Sequence, residues 1–121
     1  MKLRIRGNSI RLRLLKSEVA QLGESGDVSE STDFGDGTKL TYRLSADALA
    51  ENVTASFADG LISVVVPAET AEDWVSTDDR IGIEAECNGV SIHIEKDFAC
   101  LTREDDPDNL DAFPNPELVC S

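Results

Sequence analysis

The chain has 121 residues, among them 24 Asp or Glu and 11 Lys or Arg, and its formal net charge is −13. This length suits one domain with a core of its own. No stretch approaches the ~18 apolar residues of a membrane span, and the opening lacks the apolar run of a signal peptide, so we expect a cytoplasmic protein without membrane contact.

The first predicted element is an antiparallel hairpin over residues 2–14, where charged and apolar residues alternate. A type II′ turn at Gly7-Asn8 pairs Ile5 with Ile10 on an apolar face. The opposite face carries the basic residues Lys2, Arg4, Arg6, Arg11 and Arg13. Because like charges directly opposite one another cost stability, we expect carboxylates from elsewhere in the fold to cover Arg4 and Arg11.

Three further hairpins and two short helices follow. Ser17 and Gly23 are expected to cap the first helix, and Pro67 to end a strand before the second. Residues 1–101 thus form one mainly β domain of about eight short antiparallel strands, in a sandwich or partly closed barrel, and 102–121 form an irregular acidic tail. In chain order the elements are a helix over 17–23, strands over 27–34, 38–45, 52–58 and 61–66, a helix over 68–75, and strands over 80–87 and 90–97.

Tight turns predict the register of each later hairpin. The turn sequences are Gly35-Asp36-Gly37, Asp59-Gly60 and Asn88-Gly89. The expected pairs are Val28 with Leu44, Asp33 with Lys39, Val53 with Val66, Ala55 with Val64, Phe57 with Ile62, Ile83 with Ile94, Ala85 with Ile92, and Glu84 with His93 on the outer side.

A metal site is the first chemistry to consider, since Cys87, His93 and Cys100 are close in sequence. Their spacing matches no tight zinc motif, and strand alternation places Cys87 and His93 on opposite faces. With Cys120 the cysteines are odd in number, which, without an export signal, indicates reduced thiols. We expect Cys87 and Cys100 to be mostly buried, and no metal or cofactor.

Nucleophilic catalysis is the second chemistry. His93 is the only histidine, Glu84 could orient it, and Cys100 would be the nucleophile. The alternative is an exposed Glu–His cross-strand pair, which we favour because no nucleophile is placed beside the imidazole. No phosphate-binding glycine loop and no EF-hand spacing occur. We therefore do not expect an enzyme, and an enzyme using His93 or Cys100 is the last of three hypotheses.

Two local segments resemble known families. The segment FADGLISVVVP resembles a hairpin of small heat-shock proteins, without the other motifs of that family. The opening, IRGNSIRLRLLKSEVAQLG, resembles AbrB/MazE-type swapped-hairpin domains, with Gly7-Asn8-Ser9 in the hairpin and Gly26-Asp27 after the helix. That resemblance implies a dimeric DNA-binding regulator, although this chain continues into a long acidic sheet.

A third resemblance covers most of the chain. The opening MKLRIRGNSIRLRL, the helix with Asp73-Trp74 and the segment EKDFACL resemble a bacterial family of short proteins of unknown function. It implies a compact cytosolic bacterial protein and carries no activity. The candidate functional spot in such a family comprises Glu95, Lys96, Asp97 and Cys100, and we add to it Glu84 and His93 from the predicted cross-strand pair.

The leading hypothesis is a non-enzymatic protein-interaction or regulatory module. The charge distribution leaves a second one open, because residues 1–16 hold six basic residues and no acid, whereas residues 17–121 hold all 24 acids. Such a basic segment either packs beside acidic strands of its own fold or binds nucleic acid. The overall negative charge repels phosphate and disfavours nucleic acid.

Overall fold

The computed structural model describes residues 1–77 and 80–97. Eight strands and two helices lie within these ranges. In chain order they are β1 (Lys2–Arg6), β2 (Ser9–Leu14), α1 (Lys16–Ser25), β3 (Asp27–Asp33), β4 (Lys39–Asp47), β5 (Thr54–Ala58), β6 (Leu61–Pro67), α2 (Ala68–Ser76), β7 (Gly82–Cys87) and β8 (Val90–Lys96).

All four hairpins form with the predicted registers. At the last turn, Asn88 and Gly89 have φ values of 51° and 83°, as a type I′ turn requires. The ladder between β5 and β6 ends where Thr54 pairs with Val65, so the expected pair of Val53 with Val66 lies outside it. The predicted acidic tail, 102–121, lies outside the described residues.

The hairpins combine into two open four-stranded sheets, with strand orders β1-β2-β8-β7 and β3-β4-β6-β5. The sandwich alternative is therefore the one observed. The expectation of antiparallel strands throughout is wrong at the centre of each sheet, where β2 pairs with β8 and β4 with β6 in parallel. Turn sequences specify only strands adjacent in the chain, so they carry no information about these two central pairs.

Helix α1 is longer than predicted, and neither expected cap is used. Leu15 is the N-cap, and its N–H donates to Glu18 Oε1 at 2.8 Å. Gly26 takes the left-handed C-terminal position with φ 82°, and its N–H donates to the Leu22 carbonyl. Gly23 lies inside the helix, where a Cβ atom would approach Val75 Cγ1 to 3.0 Å. Its glycine therefore serves the close packing of α1 against α2.

The core is shared by both sheets and both helices. Trp74 of α2 is fully buried, and its Nε1–H donates to the Ile81 carbonyl at 3.1 Å. The other fully buried large side chains are Leu12, Leu14, Leu44, Val64, Val66, Ile92 and Ile94. Cys87 is half-buried, less than expected, because it ends β7 beside the exposed turn residues. Neither helix in the described ranges is long and apolar enough to cross a membrane.

Candidate functional site

The first sheet carries charge on one face and apolar side chains on the other, because successive residues of a strand point to opposite sides. We call the charged side, turned away from the core, the charged face. Its basic half consists of Lys2, Arg4 and Arg6 on β1 with Arg11 and Arg13 on β2. The remainder comprises Ser91, His93 and Glu95 on β8 with Glu84 and Glu86 on β7.

The strand order and registers align these residues in rows across the sheet. Arg4 lies opposite Arg11, Arg11 opposite His93, and His93 opposite Glu84. Neighbouring strands are about 4.8 Å apart, so the charge changes from positive to negative within a few strand spacings. The charged face therefore has a positive stripe and a negative stripe side by side.

Within residues 1–77 and 80–97, Arg11 and Lys2 of the basic half pair with acids that follow in the chain. Arg11 Nε lies 2.9 Å from Glu95 Oε1, and the two side chains are 33% and 27% exposed. Lys2 Nζ lies 3.3 Å from Asp97 Oδ2. The expected acidic partner of Arg11 is thus present and comes from the neighbouring strand β8, while the acidic cover expected over Arg4 stays a prediction.

The Glu84–His93 pair occupies the outer side as predicted, but it is loose. His93 Nδ1 and Glu84 Oε1 are 3.7 Å apart, too far for a hydrogen bond, and Glu84 is 81% exposed. The pair thus matches the cross-strand arrangement common on antiparallel sheets rather than an imidazole held in one orientation.

Cys87 and His93 do lie on opposite faces, as the alternation predicts. Cys87 pairs with Val90 and packs against the core, whereas His93 lies between Arg11 and Glu84 on the charged face. Across residues 1–77 and 80–97, no group of three or more His, Cys, Asp or Glu side chains could hold a metal ion. Cys100 and Cys120 lie outside these ranges.

The candidate functional spot is divided by the structure. Glu84, His93 and Glu95 share the charged face, and Asp97 lies at its end beside Lys2. Lys96, in contrast, is in phase with the core residues of β8. Its Nζ donates to the Thr77 carbonyl at 2.8 Å and lies 5.6 Å from the centroid of the Trp74 ring. These contacts give Lys96 a structural role in joining β8 to α2.

A second polar cluster, which the sequence pattern did not reveal, surrounds the amino group of Met1. That group contacts Glu18 of α1 and lies 3.2 Å from Glu30 Oε1 of β3. The Tyr42 hydroxyl lies 2.9 Å from Glu30 Oε2 and 3.1 Å from the Met1 carbonyl oxygen. Burial, and next the carboxylate of Glu30, raise the pKa of Tyr42 to about 12. No local signal marks this cluster, because its members come from four separate segments.

Comparison with known proteins agrees with the broadest of the sequence resemblances. A family model described as "Family of unknown function (DUF7009)" matches residues 1–117. Neither a curated protein nor a solved structure matches the chain. The matched range includes both the opening strands and the EKDFACL segment, and the description names no activity. The chain therefore belongs to the DUF7009 family, a family of unknown function.

Proposed function

We propose that the protein is a non-enzymatic interaction module of the bacterial cytosol, and that it binds a protein partner through the charged face. Residues 1–101 form the module, and 102–121 are an acidic tail. The observation that carries this proposal is the ion pair between Arg11 and Glu95. In this pair, Arg11, the central cation of the basic half, already binds an acid of the same fold.

A protein partner suits a striped surface better than a nucleic acid does. A phosphate backbone lying on the basic half would meet His93, Glu95 and Glu84 one or two strands away from β2, about 5 to 10 Å from the cations of that strand. This separation is comparable to the ~8 Å over which physiological salt screens charge, so the acids weaken phosphate binding. A partner protein can present acidic and basic side chains in matching stripes, which gives specificity.

Two observations favour a nucleic-acid-binding regulator as the second candidate. All five charged residues that β1 and β2 present on this face are basic, and the opening resembles AbrB/MazE-type domains. The overall charge of −13 opposes this function.

Binding to labelled duplex DNA and single-stranded RNA, at low and moderate salt, separates the two candidates. We expect the native chain to bind neither. Arg4→Gln/Arg11→Gln removes two cations from the basic half. Lys39→Gln/Arg43→Gln removes two from the outer face of the second sheet and is the matched control. Tight binding with a steep salt dependence, lost only in the first variant, would establish the regulator instead.

A photoreactive residue placed in turn at two matched serines tests the protein partner directly in host cells. Ser91 lies on the charged face in the central strand β8, and Ser63 lies on the outer face of the second sheet in the central strand β6. We expect one discrete adduct from Ser91 and none from Ser63. The partner recovered from it should bind the purified chain, and more weakly after Arg4→Gln/Arg11→Gln. Equal adducts from both positions, or none, would overturn the proposal.

A further inference from the structure

The chain leaves β8 beside the basic half of the charged face. The Asp97 N–H donates to the Leu14 carbonyl at 2.8 Å, and its carboxylate pairs with Lys2 Nζ at 3.3 Å. Leu14 ends β2 and Lys2 begins β1, so Asp97 is held against both basic strands. The described range therefore ends, at Asp97, beside the edge of the basic half.

The sequence that follows has the opposite charge to this surface. Residues 98–121 contain one basic residue, Arg103, and six acids: Glu104, Asp105, Asp106, Asp108, Asp111 and Glu117. Five cations form the basic half. The opposite charges are similar in number and are joined by a short length of chain, which favours a contact between this acidic sequence and the basic half.

The length of chain is sufficient for this contact. The distance from Lys2 to Arg6 along β1 is about 13 Å at the rise of a strand. The seven residues from Asp97 to Glu104 can span roughly 23 Å when extended. Because the tether is short, the acids are present at an effective concentration on the order of millimolar near the cations.

We propose that the acidic segment 104–111 binds the basic half of the charged face of the same chain. The segment adds carboxylates to a surface on which Glu95 and Asp97 already pair with Arg11 and Lys2. A free acidic ligand must compete with a tethered one, which makes the chain's own segment the favoured occupant. One consequence rests on the proposed function, namely that a protein partner must displace this segment or bind beside it.

A nitroxide spin label in the acidic segment tests the contact in the full-length chain. The label is attached to Asn109→Cys, in a background in which Cys87→Ala, Cys100→Ser and Cys120→Ser remove the native thiols. Amide NMR signals should lose several-fold more intensity at the five cations of the basic half than at Ser29, Ser31, Thr41 and Ser63 of the second sheet. Raising the salt concentration should reduce this difference.

Charge variants check the physical cause. Arg4→Gln/Arg6→Gln should reduce the selective loss of signal, and Lys39→Gln/Arg43→Gln should leave it unchanged. Equal loss on both sheets, no loss, or loss that is indifferent to Arg4→Gln/Arg6→Gln would overturn the proposal. Mixing the spin-labelled chain with an isotope-labelled chain that lacks the nitroxide detects contact between copies, and selective loss there would overturn the intramolecular assignment.

A second measurement avoids the thiol substitutions. In the otherwise native chain, Glu104→Gln, Asp105→Asn, Asp106→Asn and Asp108→Asn together should shift the amide signals of β1 and β2 and leave those of β3 and β5 in place. Unchanged β1 and β2 signals would count against the contact. Neither outcome bears on the adduct from Ser91, so this inference and the proposed function can fail separately.

Discussion

Tyr42 should ionise only at unusually high pH, and folding stability should fall as it does so. The pKa of its hydroxyl is raised from 10.0 to about 12, first by burial and then by the hydrogen bond to Glu30. In the unfolded chain the same hydroxyl ionises near its ordinary value. The stability that depends on the neutral form is therefore complete below pH 10 and is lost as the pH rises toward 12.

The difference between the two pKa values sets the size of this effect. A rise from 10.0 to about 12 corresponds to at most about 2.7 kcal/mol. Tyr42 is only partly buried, and solvent screening reduces the contribution, so we expect a loss of about 1 to 2 kcal/mol across this pH range.

Because Tyr42 is the only tyrosine and Trp74 the only tryptophan, both quantities can be measured without interference. Tyrosinate absorbance gives the pKa, and Trp74 fluorescence during denaturant unfolding at mildly and strongly alkaline pH gives the stability. Glu30→Gln should lower the pKa part of the way to 10.0. Tyr42→Phe should remove the part of the stability loss that comes from tyrosine ionisation. Ionisation near pH 10 in the native chain would refute the reasoning.

Two further substitutions test local features of the fold. Glu18→Gln should lower the free energy of unfolding by about 1.5 to 3 kcal/mol, because this carboxylate contacts the Met1 amino group and accepts a hydrogen bond from the Leu15 N–H. Glu24→Gln, at an exposed position of the same helix, is the control and should leave the stability measured by denaturant unfolding nearly unchanged. Gly60→Ala should destabilise more than Gly89→Ala. Both glycines have positive φ, which costs roughly 1 to 2 kcal/mol for alanine. Only at Gly60 would the new Cβ atom lie 2.7 Å from a backbone carbonyl oxygen, and equal thermal shifts would contradict this explanation.

The charged face shows how the local pattern and the tertiary structure divide the information about a site. Alternation in the sequence was sufficient to predict that Glu84 and His93 share the outer side and that Cys87 does not. It did not reveal that Lys96 contacts Trp74 and Thr77, because those partners belong to α2 and to the residue after it.

The hairpins and their registers were determined by the sequence itself. Asn88-Gly89 and Asp59-Gly60 accept the positive φ values of tight turns, and a turn of known length leaves one register that puts the apolar residues of both strands on one face. These constraints act over a few residues. They are therefore readable without knowledge of the rest of the chain.

Other features depended on contacts between distant residues and were decided only by the tertiary structure. Gly23 resembles a helix terminator, but it lies within α1, where the absence of a Cβ atom leaves room for Val75 of α2. The parallel pairing of β2 with β8 joins strands that are separated by most of the chain, and no turn specifies it. This pairing places Glu95 against Arg11, so the striped charge of the candidate surface follows from packing between distant strands rather than from any local pattern.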